Sequence, residues 1–278
     1  VTIITFDKTG EKVKLGDISE DPPKNVTREQ AAEELAELGQ EMFELQDLLW
    51  GARTHSVLIV LQGRDSAGKD GAIKHVAGYL NPRGVHVTSF GVPTEEEREH
   101  DFLWRIHYHA PRKGEFAIFN RSHYEDVLVV RVHDLVPKEM WGERYGHIRD
   151  FEELLTEHGT IVLKFFLHIS KDEQKKRLLA REQDPRTAWK INAGDWEDRE
   201  LWDEYTDAYE DAISRTATKH APWLVVPADA KWYRNLVVAR AVTEAMRPHK
   251  KTWQARLDQV GVKKKSELET YMRTKKNP

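Results

Sequence analysis

The chain has 278 residues, of which 39% are hydrophobic and 32% charged, with a formal net charge of −4 and no cysteine. That length suits one large α/β domain, and that composition lies outside the range of disordered chains. The missing cysteines exclude disulfides and thiolate metal sites. The negative balance argues against a nucleic-acid coat, so a polyanionic ligand would need a local basic channel.

Residues 1–26 are polar, carry Pro22-Pro23, and read as an arm or a loose edge segment. Thr27-Arg-Glu-Gln30 is a capping box that opens a helix to about Leu49. Its apolar residues Leu35, Leu38, Met42, Leu45 and Leu49 step by three and four into one stripe, the mark of a helix packed on a core. Ser56–Gln62 is a short apolar run that stops at glycine, as a buried parallel strand should. Helical text follows from about Lys69 to Leu80. Four more strands are predicted over Val85–Phe90, Phe116–Phe119, Thr160–Ile169 and Trp223–Val226. Strands alternating with helices predict βαβ units: a parallel five-stranded sheet between two helical layers, in a single domain over residues 1–278. No run approaches the roughly 18 apolar residues of a membrane span, and the N-terminus lacks a signal-peptide core, so a cytoplasmic protein is expected.

Ser170-Lys-Asp-Glu173 caps a further helix to about Glu182, and a second helix is predicted over Asp195–Thr218. This hairpin, residues 170–218, falls on the strand-end side where α/β sheets bind ligands and is expected to form a lid. From Arg247 the chain carries ten basic and three acidic residues, which reads as a solvated tail, with a tether for polyanion as the alternative.

Gly63-Arg-Asp-Ser-Ala-Gly68-Lys69 matches G-x-x-x-x-G-K between a strand and a helix. In such a loop Gly63, Ser66, Ala67, Gly68 and Gly71 let backbone amides approach phosphate oxygens. The helix N-terminus adds partial positive charge, and Lys69 reaches the transferred group. Asp70 stands where the usual Mg²⁺-ligating Ser or Thr would be. Asp65 is the replacement acid, because Mg²⁺ takes one or two protein carboxylates plus phosphates and water; Asp70 is expected to stabilise the helix start. The end of a neighbouring strand supplies a second carboxylate in this class. Here the third strand ends in Asn120-Arg121-Ser122-His123-Tyr124-Glu125-Asp126. Asn120 occupies the place where an aspartate would be expected, and Arg121 can hold phosphate bidentately. Either Glu125 or Asp126 can aim back at the cation; Glu125 is assigned to the catalytic group and Asp126, with Asp65, to the metal. His123, which has no partner pattern, reads as structural or binding rather than as a phosphoryl carrier. Lys175, Arg177 and Arg181 lie in a basic stretch, residues 171–190, and are expected to face the phosphates.

These residues resemble the polyphosphate kinase 2 family, and its class III branch most. The likeness runs from about Leu35 to Val238. It rests on the phosphate loop, Ser89–Thr94, Pro111–Gly114, Phe119–Val127, Phe166–Gln174 and Ala221–Trp223. The resemblance implies a thymidylate-kinase-like P-loop fold with a helical lid, dependence on Mg²⁺ with Mn²⁺ as a substitute, and a dimeric or tetrameric homo-oligomer. It also implies phosphate transfer between inorganic polyphosphate and AMP or ADP, forming ADP and ATP. An ATP-dependent small-molecule kinase and a non-catalytic nucleotide or polyphosphate binder are the alternatives. The intact Asp65, Lys69 and Arg121 speak against the binder.

Overall fold

The structure, a computed structural model, describes residues 3–276. In chain order the elements are β1 (Ile4–Phe6), α1 (Arg28–Ala52), β2 (Ser56–Gln62), α2 (Lys69–Ala77), β3 (Val85–Ser89), α3 (Glu95–Glu99), α4 (Trp104–Tyr108) and β4 (Phe116–Asn120). The second half comprises α5 (Val129–Val132), α6 (Lys138–Glu157), β5 (Thr160–His168), α7 (Lys171–Gln183), α8 (Ala193–Glu200), α9 (Trp202–Thr216), β6 (Trp223–Pro227), α10 (Lys231–Met246) and α11 (Lys250–Lys276).

The strand order is β1-β6-β5-β2-β4-β3, with every neighbour parallel except β1, which runs antiparallel to β6. The sheet therefore has six strands rather than five, and the polar N-terminal arm supplies the sixth. All of β2 is buried, and its side chains alternate between two cores. Val57, Ile59 and Leu61 face a core built with α1, α2 and α10; Leu58 and Val60 face one built with α6 and α9. Central β2 lies between β5 and β4, so the connections diverge at its C-terminal end, where doubly wound sheets bind ligands.

The predicted capping box of α1 is present, with Thr27 accepting from the Gln30 amide and the Gln30 side chain accepting from the Thr27 amide. Leu38, Met42, Leu45 and Leu49 are buried as the stripe requires. Two expectations need correction. The helix foreseen over 195–218 is broken into α8 and α9, and α9 buries Tyr205, Ala208, Tyr209, Ala212 and Ile213 in the core beneath the sheet. The α7–α8 segment covers the phosphate loop through Gln174, Arg177 and Arg181, and the start of α9 borders it through Trp202 and Thr206. The C-terminal segment is not simply a solvated tail either: Trp253 is fully buried, and Leu257 lies against Gly51 of α1. Apolar anchors dock the first turns of α11, while Val262, Leu268, Tyr271 and Met272 further along are exposed.

A charged network lies inside the second core. Lys164 of β5 is fully buried and donates to Glu152 Oε2 (2.7 Å), the Tyr124 hydroxyl (3.0 Å) and the Thr216 carbonyl (2.8 Å). Tyr124 donates to the other Glu152 oxygen (2.8 Å), and His123 contacts the same oxygen at 3.3 Å. His123 is thus a buried member of a packing network that ties β5, α6 and α9 to the turn after β4. No described helix is long and apolar enough to cross a membrane.

Candidate active site

After β2 the backbone enters left-handed conformations at Ser66 (φ 62°) and Gly68 (φ 101°), which let a loop curl back toward the helix it opens. Gly63 (φ 149°) has no room for a side chain, because a Cβ there would stand 2.9 Å from the Leu167 carbonyl on β5. Lys69, the first residue of α2, is buried, and its ammonium donates to the carbonyls of Gly63 (2.6 Å) and Arg64 (3.2 Å). Burial pushes this ammonium down from its ordinary value, while Asp65 works against that shift.

The register sets Leu61 beside Asn120, so the loop after β4 emerges next to the phosphate loop. Arg121 is also left-handed (φ 62°), a conformation that costs a non-glycine residue energy and is kept where the surroundings over-determine it. Its guanidinium donates to Asp65 (2.7 Å) and lies 3.8 Å from Glu125. Burial opposes its charge, but Glu125 and Asp65 outweigh that and hold its pKa above the ordinary value. Glu125 is mostly buried, and desolvation raises its carboxyl against the pull of Arg121 and Lys69. Asp65, Lys69, Arg121 and Glu125 thus form one cluster.

The turn over His123–Asp126 decides which of two consecutive acids joins it. Asp126 points elsewhere, accepting from Arg144 (3.1 Å) and lying 3.9 Å from Arg105. The carboxylate that accompanies Asp65 is therefore Glu125 and not Asp126. Asn120 donates to Asp70 (2.9 Å), and Lys190 also pairs with Asp70, joining the helix start to the lid segment.

From α7, Gln174 donates to the Asp65 carbonyl (3.1 Å), and Arg181 donates to Ser66 Oγ (2.7 Å) and Asp195 (2.6 Å). Arg177 donates to the carbonyls of Ser66 (3.1 Å) and Ala67 (3.2 Å). Lys175 is exposed on another flank of α7 and is not brought to the loop. Two residues outside the sequence reading adjoin the loop. Arg64 stacks on Trp202 (3.8 Å) and donates to its carbonyl, fastening the loop to α9. Arg234 of α10 lies against Gly68 and Gly71. In the sequence Arg64 stands as a loop residue without a motif role, and Arg234 as the one cation of the stretch Trp232 to Val238.

Among the described residues no three His, Cys, Asp or Glu side chains are grouped to cage a metal. Asp65 and Glu125, flanking Arg121, are instead the one-or-two-carboxylate donor set that suits a hard divalent cation shared with phosphates.

A parallel sheet whose central strand runs through a left-handed glycine loop into a helix, with a buried lysine, neighbouring acids and an arginine-bearing cover, defines a P-loop phosphotransferase. The family profile described as Polyphosphate kinase 2 matches residues 25–254. This chain belongs to that family. An AMP/ADP-polyphosphate phosphotransferase of Meiothermus ruber is 55% identical over 219 residues, covering 79% of this chain and 82% of the other. An ADP-polyphosphate phosphotransferase of Rhodopseudomonas palustris is 44% identical over 250 residues, covering 85% and 86%. The crystal structure of polyphosphate kinase 2 from Arthrobacter aurescens superposes with a TM-score of 0.83 at 40% identity, over 89% of this chain and 92% of that one. The match extends past Val238 into the first turn of α11, beyond the end expected from sequence motifs.

Proposed function

We propose that this chain is a Mg²⁺-dependent polyphosphate kinase that accepts both AMP and ADP. The observation that carries this reading is a cleft of about 460 Å³ beside the phosphate loop. Arg177, Arg181, Lys190, Lys231 and Arg234 line it, against one acid, Asp184, and no aromatic residue. A cleft with many cations and no ring to stack a base fits a ligand made of phosphate alone. The likeness to the M. ruber enzyme supports the acceptor range.

The chemistry asks little covalent help of the protein. A terminal phosphate oxygen of the nucleotide, already anionic, attacks the end phosphorus of the polyphosphate; the bridging P–O bond breaks, and the shortened chain leaves as an anion. No proton needs to move. What must be overcome is repulsion between two polyanions, and Lys69, Arg121 and Arg181 are the cations placed to offset it. Asp65 and Glu125 are the residues that would hold Mg²⁺, which supplies further charge neutralisation on the phosphates.

With AMP, long-chain polyphosphate and Mg²⁺ but no ATP, ADP and then ATP form, and a chelator stops both. If AMP is inert while ADP yields ATP, the acceptor range is refuted and the donor stands. If neither reacts and ATP phosphorylates a small acceptor, the donor reading is wrong.

Asn120 gives a second handle on acceptor choice. Its amide donates to Asp70, so Asn120→Asp sets two carboxylates in the place of a hydrogen bond and disturbs the Asp70–Lys190 pair. The expected result is a change of about tenfold in the ratio of kcat/KM for AMP and ADP. An unchanged ratio refutes a role for Asn120 in holding the acceptor.

A further inference from the structure

Two arginines of the cationic cleft, the half-buried Arg177 and the buried Arg234, are in opposite situations. Arg177 has its donors committed: Nε to Glu173 (2.8 Å), Nη1 to the Ser66 and Ala67 carbonyls, and Nη2 to the Ala228 and Asp229 carbonyls (2.7 Å each). It staples the phosphate loop to the connection between β6 and α10, so the phosphate contact expected of it from sequence is replaced by a positioning role.

Arg234 is 3% exposed, and among the described residues its only hydrogen-bond partner is the side-chain oxygen of Asn235 (2.8 Å from Nη2, 3.2 Å from Nε). Its Nη1 is left over. The guanidinium lies against the first turn of α2: a Cβ at Gly68 would collide with Nη1, and one at Gly71 would stand 2.9 Å from Nη2. The glycines at both positions therefore make room for a cation as well as for the turn of the loop. The positive end of α2 lies in front of it and Arg177 beside it, and no carboxylate pairs with it among the described residues. Burial and Arg177 together pull Arg234 down to about 10, which still leaves it charged at neutral pH. A buried cation without a counter-charge is costly, and an anion bound beside it would offset that cost.

We infer that Arg234, with Lys231 at the cleft mouth, is a specificity-determining residue for the polyphosphate donor, holding the phosphate units behind the reacting one. This rests on the polyphosphate reading above. Three observations converge on it. The residues lining the cleft include Ser66, Gly68 and Gly71 but not Asp65, Arg121 or Glu125, so Arg234 adjoins the loop away from the reacting cluster. Lys231 and Lys190 extend the positive charge along the same cleft. The nucleotide, needing a surface for its base, finds no aromatic there.

The test compares wild type with Arg234→Met, Arg234→Lys and Lys231→Met, measuring initial rates against long-chain polyphosphate and against ADP. Calorimetric binding of the same polyphosphate without nucleotide accompanies the kinetics. In Arg234→Met the KM for polyphosphate is expected to rise about 10- to 100-fold, the worth of a charge-assisted hydrogen bond or two. Saturated kcat and the KM for ADP stay within about threefold, calorimetric affinity falls in parallel, and Arg234→Lys recovers part of the loss. A folded Arg234→Met protein with an unchanged polyphosphate KM overturns the inference while leaving the polyphosphate reading intact. Should Arg234→Met fail to fold, the exposed Lys231→Met decides: a rise in polyphosphate KM alone supports the cleft, and no change overturns it. A wild-type protein that neither turns over nor binds polyphosphate overturns both readings.

Discussion

Replacing Lys69 by alanine lowers kcat with polyphosphate and ADP about a thousandfold, the scale on which a preorganised cationic donor stabilises charge in a transition state. The side chain is buried at the mouth of the loop and tied to two of the loop's own carbonyls. Its ammonium is thus held in place before substrate arrives. Lys69→Arg fails to restore the rate, because the longer, planar guanidinium does not fit a site sized for an ammonium. The fold survives: two hydrogen bonds to carbonyls are lost, at about 2–3 kcal/mol, and the relief of one buried charge offsets part of that. Rates beside a urea unfolding curve check both halves. More than a tenth of wild-type activity in Lys69→Ala would mean that Lys69 does not touch the transferred group.

Lys164→Met produces the opposite pattern, a stability loss of about 3–5 kcal/mol from breaking one half of a buried ion pair. For a chain of this size that lowers Tm by about 10 °C. Glu152 is left wholly buried without its cation, and Tyr124 and Thr216 each lose a donor. Adding Glu152→Gln to Lys164→Met recovers at least half of the loss, since the cost lies in the orphaned charge. If denaturant midpoints show the single variant within 1 kcal/mol of wild type, the network does not hold β5, α6 and α9 together. Burial by itself would raise the Glu152 carboxyl, but Lys164 and His123 outweigh it and hold it below the usual 4.5. With a folded value below the unfolded one, this contribution is complete above about pH 4.5 and is lost as the pH falls through the lower folded value.

Much of the site was readable from sequence because its chemistry is local. A glycine loop must follow a strand and open a helix, so Gly63, Gly68 and Lys69 fall into place from spacing alone. The parallel strands were legible as short apolar runs, and α1 as a stripe of leucines. Motifs in the right order carried the family assignment. β1 was legible only as an arm or a loose edge segment, since three residues, Ile4-Thr5-Phe6, acquire strand geometry by pairing with β6.

The acids and arginines divide the same way. Glu125 and Asp126 are adjacent and chemically alike; the turn between β4 and α5 sends one to Arg121 and the other to Arg144. Arg177 carries the spacing of a phosphate contact, yet its donors are used up by carbonyls from two separate loops. Arg234 carries no motif, yet the packing of α10 on α2 brings it to the glycines of the loop. By itself the sequence determined the fold class, the phosphate loop and the type of reaction, because backbone periodicity and loop conformation depend on residues close in the chain. Tertiary structure alone decided which carboxylate faces Arg121 and which arginine keeps donors uncommitted, because a charge is free for a ligand only when no distant part of the chain has already satisfied it.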